Sequence, residues 1–438
     1  MGGEGGIAPS TGIFYPPVVV MAERLRAYII EPEHRFYGAS VPAPPYDTDK
    51  LSLLTAQQAL ADAAAFIQAH RRMLNCTGER GSGPRCPVIT VGGSYPGFLS
   101  AMMRLRYPAV VDAAWAASAP MGFYSQAVAQ TAYYERVTAS AARADARCPP
   151  AVRAAVAATL SAPGVTKPQV IAGANLCTPL PAYLEAGSAA LLVDEVAMVF
   201  EYSWANLNMA NYPPTPSTGL ARACAGFVDA AAGWPAVAAF LGGYGVGRRE
   251  QGGCYNMSGQ MPSGHDATIS SGDWSGVGTG TDGSSWDYET CTYLVEAIGT
   301  NGVTDMFYPR AWSLGWLTEH CKVRFNVAPQ PRTLPDLWGF DEDTLPRVTS
   351  RIIFTNVSCA TPPCAPKYVP SKPPPPLSSI YRGSTMAGRL ADSCGTSAAI
   401  CSCSTCPMGR TTATCPTTGP RMQTRRTCGT RGRPLRRS

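Results

Sequence analysis

The sequence predicts an α/β fold: a parallel sheet covered by helices, with a large helical insertion. Three observations carry this reading. Apolar runs alternate with helical patterns up to about Pro120, as in a sheet whose parallel strands are linked by crossover helices. A tight glycine-rich turn, Gly92-Gly93-Ser94-Tyr95-Pro96-Gly97, joins one such strand to a helix. From about Gly122 to about Gly242, alanine-rich helical patterns dominate and strand signals almost vanish.

In chain order, Val18 to Leu25 reads as a helix, and Ala27-Tyr28-Ile29-Ile30 as a buried strand. Leu53 to His70 carries apolar residues at helical spacing, with Thr55 near its start. Cys76 and Cys86 close a short polar loop and are the expected local disulfide. Val88 to Val91 is the strand before the turn, Phe98 to Tyr107 the helix after it, and Ala113 to Ala117 the next strand. Beyond the helical insertion come Gly/Ser-rich loops, including 270–285. Phe307 to Cys321 is aromatic-rich and reads as helix, and Arg351 to Asn356 as a late strand.

Strand, tight turn and helix is the setting in which α/β-hydrolases expose a nucleophilic serine. The turn forces the serine into a strained conformation, so its neighbours must be small. Its hydroxyl then stands clear of the sheet, and the next N–H can help hold an oxyanion. Ser94 is therefore the candidate nucleophile. The sequence departs from the plain G-x-S-x-G pattern at one place, where Pro96 stands two residues after the serine.

Charge and cysteine divide the chain at one point. Residues 357–438 hold twelve Lys and Arg and a single acid, Asp392; the first 356 residues hold 24 basic and 29 acidic groups. The body is thus mildly acidic although the whole chain carries a net +6. Eight cysteines lie in the body: Cys76, Cys86, Cys148, Cys177, Cys224, Cys254, Cys291 and Cys321. Eight more crowd the tail. An even, dispersed set in a large domain suits an oxidising compartment, but its pairing cannot be deduced from sequence. Two sequons, at Asn75 and Asn256, point weakly the same way. Met1 leads straight into Gly2-Gly3-Glu4-Gly5-Gly6, with no signal-peptide pattern, and no apolar run is long enough to span a bilayer. The tail contains no Trp and no Phe, and a composition this poor in apolar residues is expected to stay disordered. Its Cys401-Ser402-Cys403-Ser404-Thr405-Cys406 run lacks metal-site spacing. Its basic end lacks the interleaved aromatics of a nucleic-acid surface. No metal, cofactor or nucleic acid is expected.

Several segments in order resemble the prolylcarboxypeptidase-like serine peptidases, a family that includes lysosomal Pro-X carboxypeptidase, dipeptidyl peptidase II and the thymus-specific serine protease. They are Gly2 to Gly5, Glu33 to Ser40, Leu54 to Asp62, Gly92 to Gly97, Ala116 to Pro120, Trp286 to Thr292, Trp312, Cys321, and Ile352 to Asn356. The family accounts for Pro96, since its elbow resembles Gly-Gly-Ser-Tyr-Pro-Gly. The resemblance implies an α/β-hydrolase with a helical cap, secreted or lysosomal, cleaving peptides beside proline near a chain terminus. It leaves open whether the enzyme is a carboxypeptidase or a dipeptidyl peptidase, and whether it is a homodimer. By position, Ser94 is the nucleophile, the Tyr95 N–H one oxyanion donor, and the Gly2–Gly5 loop, at Gly3, lies near the other. Phe98 falls near the proline pocket. The implied layout is hydrolase over 1–121, cap over 122–300, hydrolase again over 301–356, then the tail. The sheet is expected to be truncated at its N-terminal side. Glu289 stands where the family leads one to expect glutamine, which alters a polar contact. Trp286, Trp312 and Trp316 are expected in the core.

A serine needs a base, usually a histidine oriented by an acid. The family places both after the late strand. Here the histidines are His34, His70, His265 and His320, and none follows Asn356. His34 precedes the serine and reads as part of a structural polar cluster; His265-Asp266 precede the late strand and carry little weight as a substitute. A reading-frame shift or missed splice site in a GC-rich gene would produce such a tail. The rival reading is a pseudoenzyme that keeps its peptide pocket on the same fold. An esterase or lipase is disfavoured by the motif set.

Overall fold

Parallel pairing around the serine turn fixes the centre of the molecule. The computed structural model describes residues 1–7, 16–42, 48–78, 83–229, 233–245, 253–257, 281–341 and 343–355. The first helices are α1 (Pro16–Leu25) and α2 (Ala56–Met73). Thr55 caps α2 by accepting a hydrogen bond from Gln58 N at 3.1 Å, as a threonine before a helical pattern should. Strand β1 (Ile89–Gly93) runs into α3 (Tyr95–Arg106), followed by β2 (Ala113–Ala117). The helical segment is α4 (Met121–Tyr124), α5 (Ala132–Ala144), α6 (Cys148–Ala157), α7 (Lys167–Gly173), α8 (Ala182–Ala186), α9 (Ala189–Met209), α10 (Gly219–Asp229) and α11 (Trp234–Tyr244). Then come α12 (Thr281–Thr290), α13 (Leu314–Phe325), α14 (Thr333–Trp338), α15 (Leu345–Val348) and β3 (Ile352–Thr355).

Among the described residues the sheet has the order β1-β2-β3, all parallel. Ile89 pairs with Ala113 and Gly93 with Ala117; Ala114 pairs with Ile352 and Ala117 with Thr355. The late strand thus returns beside the strand that follows the serine helix. This is a helix-rich α/β arrangement with a small parallel sheet, consistent with the predicted fold class.

The two larger of four apolar clusters among the described residues sit at different places in the chain. One gathers Val137, Val196, Phe200, Trp204, Phe227 and Phe240 from the helical segment, with the Trp204 and Phe240 rings stacked at 4.9 Å. Disulfides Cys148–Cys224 and Cys177–Cys254 pin this segment to itself. Glu201 of α9, fully buried, meets Arg310 at 3.0 Å and accepts from Thr300. The other core lies around α3, where Leu60, Phe98, Leu99, Met102 and Val111 meet Trp286, Leu294, Trp338 and Phe340. Cys76–Cys86 closes the predicted loop, and Cys291–Cys321 joins α12 to α13. All eight body cysteines are paired. No helix among the described residues is long and apolar enough to cross a membrane.

Some expectations need correction. Ala27 to Ile30 is not a strand: it is irregular and Tyr28 is 68% exposed. A four-residue apolar run becomes a strand only if another strand pairs with it, and none does among the described residues. The helix expected over Phe307 to Cys321 begins at Leu314, because Pro309 interrupts the pattern and Ser313 caps the helix by accepting from Trp316 N. Trp316 is not core; it is 42% exposed and stacks on His320. The Gly/Ser-rich stretch ends earlier than read, since Thr281 to Ser285 belong to α12. Asn356 and the tail after it, with Cys401 to Cys406 and the basic end, lie outside the described residues, as do His265 and Asp266.

Candidate active site

Ser94 has φ 58° and ψ −132°, a conformation that L-residues other than glycine rarely adopt. Hydrogen bonds hold it there from both sides. Its N–H donates to Ala117 O of β2 at 2.9 Å, and its carbonyl accepts from Gly97 N and Phe98 N at 2.9 and 3.1 Å. The chain can turn this sharply only because its neighbours lack side chains. A Cβ at Gly92 would overlap the Pro96 carbonyl, and one at Gly97 would lie 2.9 Å from Ala117 O. The result is a strained serine, exposed to solvent, at the mouth of a strand-to-helix turn.

Tyr95 is the first residue of α3, so its N–H has no acceptor within the helix. Gly3 packs on the elbow: a Cβ there would stand 2.6 Å from Pro96 Cγ. The structure therefore packs Gly3 of the Gly2–Gly5 loop against Pro96 of the serine turn. Phe98 is fully buried against Tyr124 at 4.9 Å, Phe340 at 5.2 Å and Trp338 at 6.2 Å. It has no exposed surface of its own.

None of the three described histidines has a hydrogen bond to Ser94. His34 is buried, with Nδ1 2.8 Å from Arg35 O and Nε2 3.1 Å from Tyr95 Oη. His70 bonds Phe66 O within its own helix. His320 bonds Asp287 Oδ1 at 2.9 Å, and Arg324 holds the other carboxylate oxygen. Asp287, His320 and Cys291 come together, but Cys291 is spent in its disulfide, so this group does not offer a metal three ligands.

Beneath the elbow lies a polar cluster that sequence did not foresee as a unit. Tyr37 donates to Glu289 Oε2 at 2.6 Å, and Tyr95 Oη lies 2.8 Å from Glu289 Oε1. Glu289 is fully buried, and burial pushes its carboxyl up to about 8, the two tyrosine contacts opposing. Burial takes His34 down to about 4, its bond to Arg35 O opposing. Glu4 and Glu296 are likewise raised by burial to about 7. The signals were present singly, in the Glu33-His34-Arg35 segment and at Glu289, but the partners are up to 252 residues apart.

An elbow serine on a parallel sheet, with the next N–H free of the helix ladder, is the arrangement in which α/β-hydrolases present a nucleophile. Residues 1–333 match the family described as serine carboxypeptidase S28, and the chain belongs to that family of serine peptidases. It is 30% identical to the lysosomal Pro-X carboxypeptidases of Homo sapiens and Pongo abelii over 334 residues, 73% of this chain and 61% of each relative. It is 38% identical to the thymus-specific serine protease of Mus musculus over 139 residues, 32% of this chain and 25% of that protein. The chain thus spans about three fifths of the Pro-X carboxypeptidases it matches.

Proposed function

We propose that this chain carries the nucleophile half of a serine exopeptidase that hydrolyses peptide bonds next to proline. Ser94 attacks the carbonyl and forms an acyl-enzyme, which water then hydrolyses. The Tyr95 N–H holds the developing oxyanion, and the Gly2–Gly5 loop, at Gly3, brings the second donor. Phe98 backs the pocket for the proline ring. Helices α4 to α11 form a cap over the site, inserted into a hydrolase sheet of which three strands are described. The paired cysteines and the lysosomal relatives support a secreted or lysosomal location. The observation that carries the reading is the strained, exposed Ser94 at φ 58°, with Gly3 packed on Pro96.

The test is turnover of Pro-X peptides and of a panel of acyl esters by the polypeptide as sequenced, beside Ser94→Ala. With no histidine among the described residues at Ser94, the expected hydrolysis is lower by several orders of magnitude than an intact triad gives. Ser94-dependent turnover at an ordinary rate overturns the view that the base is missing. Preference for esters over Pro-X peptides overturns the substrate class. The second reading is a non-catalytic peptide-binding protein on the same fold, favoured by the absence of any histidine after the late strand. Whether residues 357–438 are translated as written is decided by sequencing the transcript across Asn356. An identical in-frame tail rules out a frame-shift or splicing origin.

A further inference from the structure

The four side chains beneath the elbow leave little freedom in where their protons sit. His34 Nδ1 faces the Arg35 carbonyl at 2.8 Å, and a carbonyl only accepts, so Nδ1 carries a proton. In a neutral imidazole Nε2 is then bare and must accept from Tyr95 Oη, 3.1 Å away. Tyr95 has one hydroxyl proton. Once it points at His34, the 2.8 Å contact between Tyr95 Oη and Glu289 Oε1 needs a donor on the glutamate side. Tyr37 supplies the hydrogen bond to the other carboxyl oxygen at 2.6 Å. An ionised Glu289 beside a neutral His34 would leave Tyr95 serving two acceptors with one proton, in a site where all four side chains are buried.

We propose that Glu289 works here as a carboxylic acid, donating through Tyr95 to His34, and that this chain is the positioning device that fixes the Tyr95 ring, and with it the Tyr95 N–H, beneath Ser94. The run is Tyr37 Oη–H to Glu289 Oε2, Glu289 Oε1–H to Tyr95 Oη, Tyr95 Oη–H to His34 Nε2, and His34 Nδ1–H to Arg35 O. Every donor has one acceptor and no proton is missing. The Tyr95 ring also packs between Trp286 at 5.3 Å and His34 at 5.6 Å. Burial, with the neighbouring Glu4, favours the protonated form of Glu289, against the hydrogen bonds with Tyr37 and Tyr95. Tyr37, Tyr95, Tyr293 and Tyr124 are neutral hydroxyls, and Glu4, itself an acid, adds to the cost of an ionised Glu289. Arg35, beside His34, is engaged by Asp62 through two hydrogen bonds of 2.7 Å and disfavours an imidazolium. A glutamine at this position would reproduce the pattern, donating from its amide to Tyr95 and accepting from Tyr37. The importance of this for the oxyanion rests on the proposed function; the proton arrangement does not.

The test uses the full chain with ¹⁵N-labelled histidine, the His34 signal being assigned by its loss in His34→Gln. Between about 4 and about 8, the values of His34 and Glu289, the expected signal is a neutral imidazole protonated on Nδ1 alone. Glu289→Gln should keep that signal and the wild-type melting temperature at acidic pH, while Glu289→Leu keeps the bond from Tyr95 to Nε2 but strands the buried Tyr37 hydroxyl and lowers the melting temperature. An imidazolium signal over this range, or a His34 signal that changes tautomer or charge in Glu289→Gln, overturns the proposal. A chain that never reacts at Ser94 but shows the neutral Nδ1–H signal upholds the hydrogen-bond chain and removes the catalytic reading.

Discussion

Ser94 sits at φ 58° with three backbone hydrogen bonds holding it there, so part of the folding free energy is stored in one residue. A non-glycine residue in such a region costs about 1–3 kcal/mol. Ser94→Gly should therefore stabilise the protein by about 1 kcal/mol, after the entropy that glycine loses on folding, while removing the nucleophile. Denaturant unfolding reads this directly, and an unchanged or lower midpoint speaks against a strained elbow. Gly92 is the opposite case. Its Cβ would meet the Pro96 carbonyl, so Gly92→Ala should destabilise by more than about 1 kcal/mol and shift the elbow. The strained turn at Ser94 could be read from sequence because everything that marks it lies within six residues. The Tyr37–Glu289–Tyr95–His34 contacts could not, because they join segments 61 to 252 residues apart and nothing local pairs them.

At the scale of elements, what was legible followed the strength of local signals. Helix α2 was predicted from spacing and a threonine cap, and Thr55→Ala should cost about 1 kcal/mol, measurable in a thermal melt. Strands β1, β2 and β3 were found because each is an apolar run next to a turn or helix that fixes its place. Ala27 to Ile30 had the same composition, but strand formation is decided by pairing partners that no short window contains. The start of α13 was hidden because aromatic content was weighed above Pro309. Helix α9 illustrates what tertiary context adds. Its Glu201 is buried and tolerated only because Arg310 and Thr300 reach it. Arg310→Met leaves that carboxylate uncompensated, and the expected loss is about 3–5 kcal/mol by urea unfolding. A loss under about 1 kcal/mol means the pair is not buried in solution.

For the whole molecule, buried Glu289 and half-buried Glu4 and Glu296 set how stability follows pH. Glu289, Glu4 and Glu296 are raised by burial to about 8, 7 and 7. In that range the folded chain keeps protons that the unfolded chain has released. Their contribution is complete below the ordinary carboxylate range and is lost as pH rises through those values. Glu289 alone gives a fall of about 1.4 kcal/mol per pH unit across its interval. His34, lowered to about 4, acts the other way and costs stability below about 6.5, where the unfolded imidazole takes a proton. Three carboxyls outweigh one imidazole, so the unfolding midpoint should be highest in mildly acidic solution and decline toward about pH 8; a midpoint that rises over this range contradicts the burial of these acids. An acid-favouring fold with four disulfides fits the proposed lysosomal or secreted setting. β1 and β3 are sheet edges among the described residues, and unprotected edges invite association at high concentration. The central claim is that Ser94 is the nucleophile of a proline-directed peptidase. It is tested most directly by treating the protein isolated from the cells that make it with a fluorophosphonate and mapping the adduct by mass spectrometry. Where the natural protein supplies the base that the described residues do not bring to Ser94, the account predicts one adduct, on the peptide containing Ser94, blocked by a Pro-X peptide. A folded protein that takes no label at Ser94 contradicts it and leaves the non-catalytic peptide-binding reading in its place.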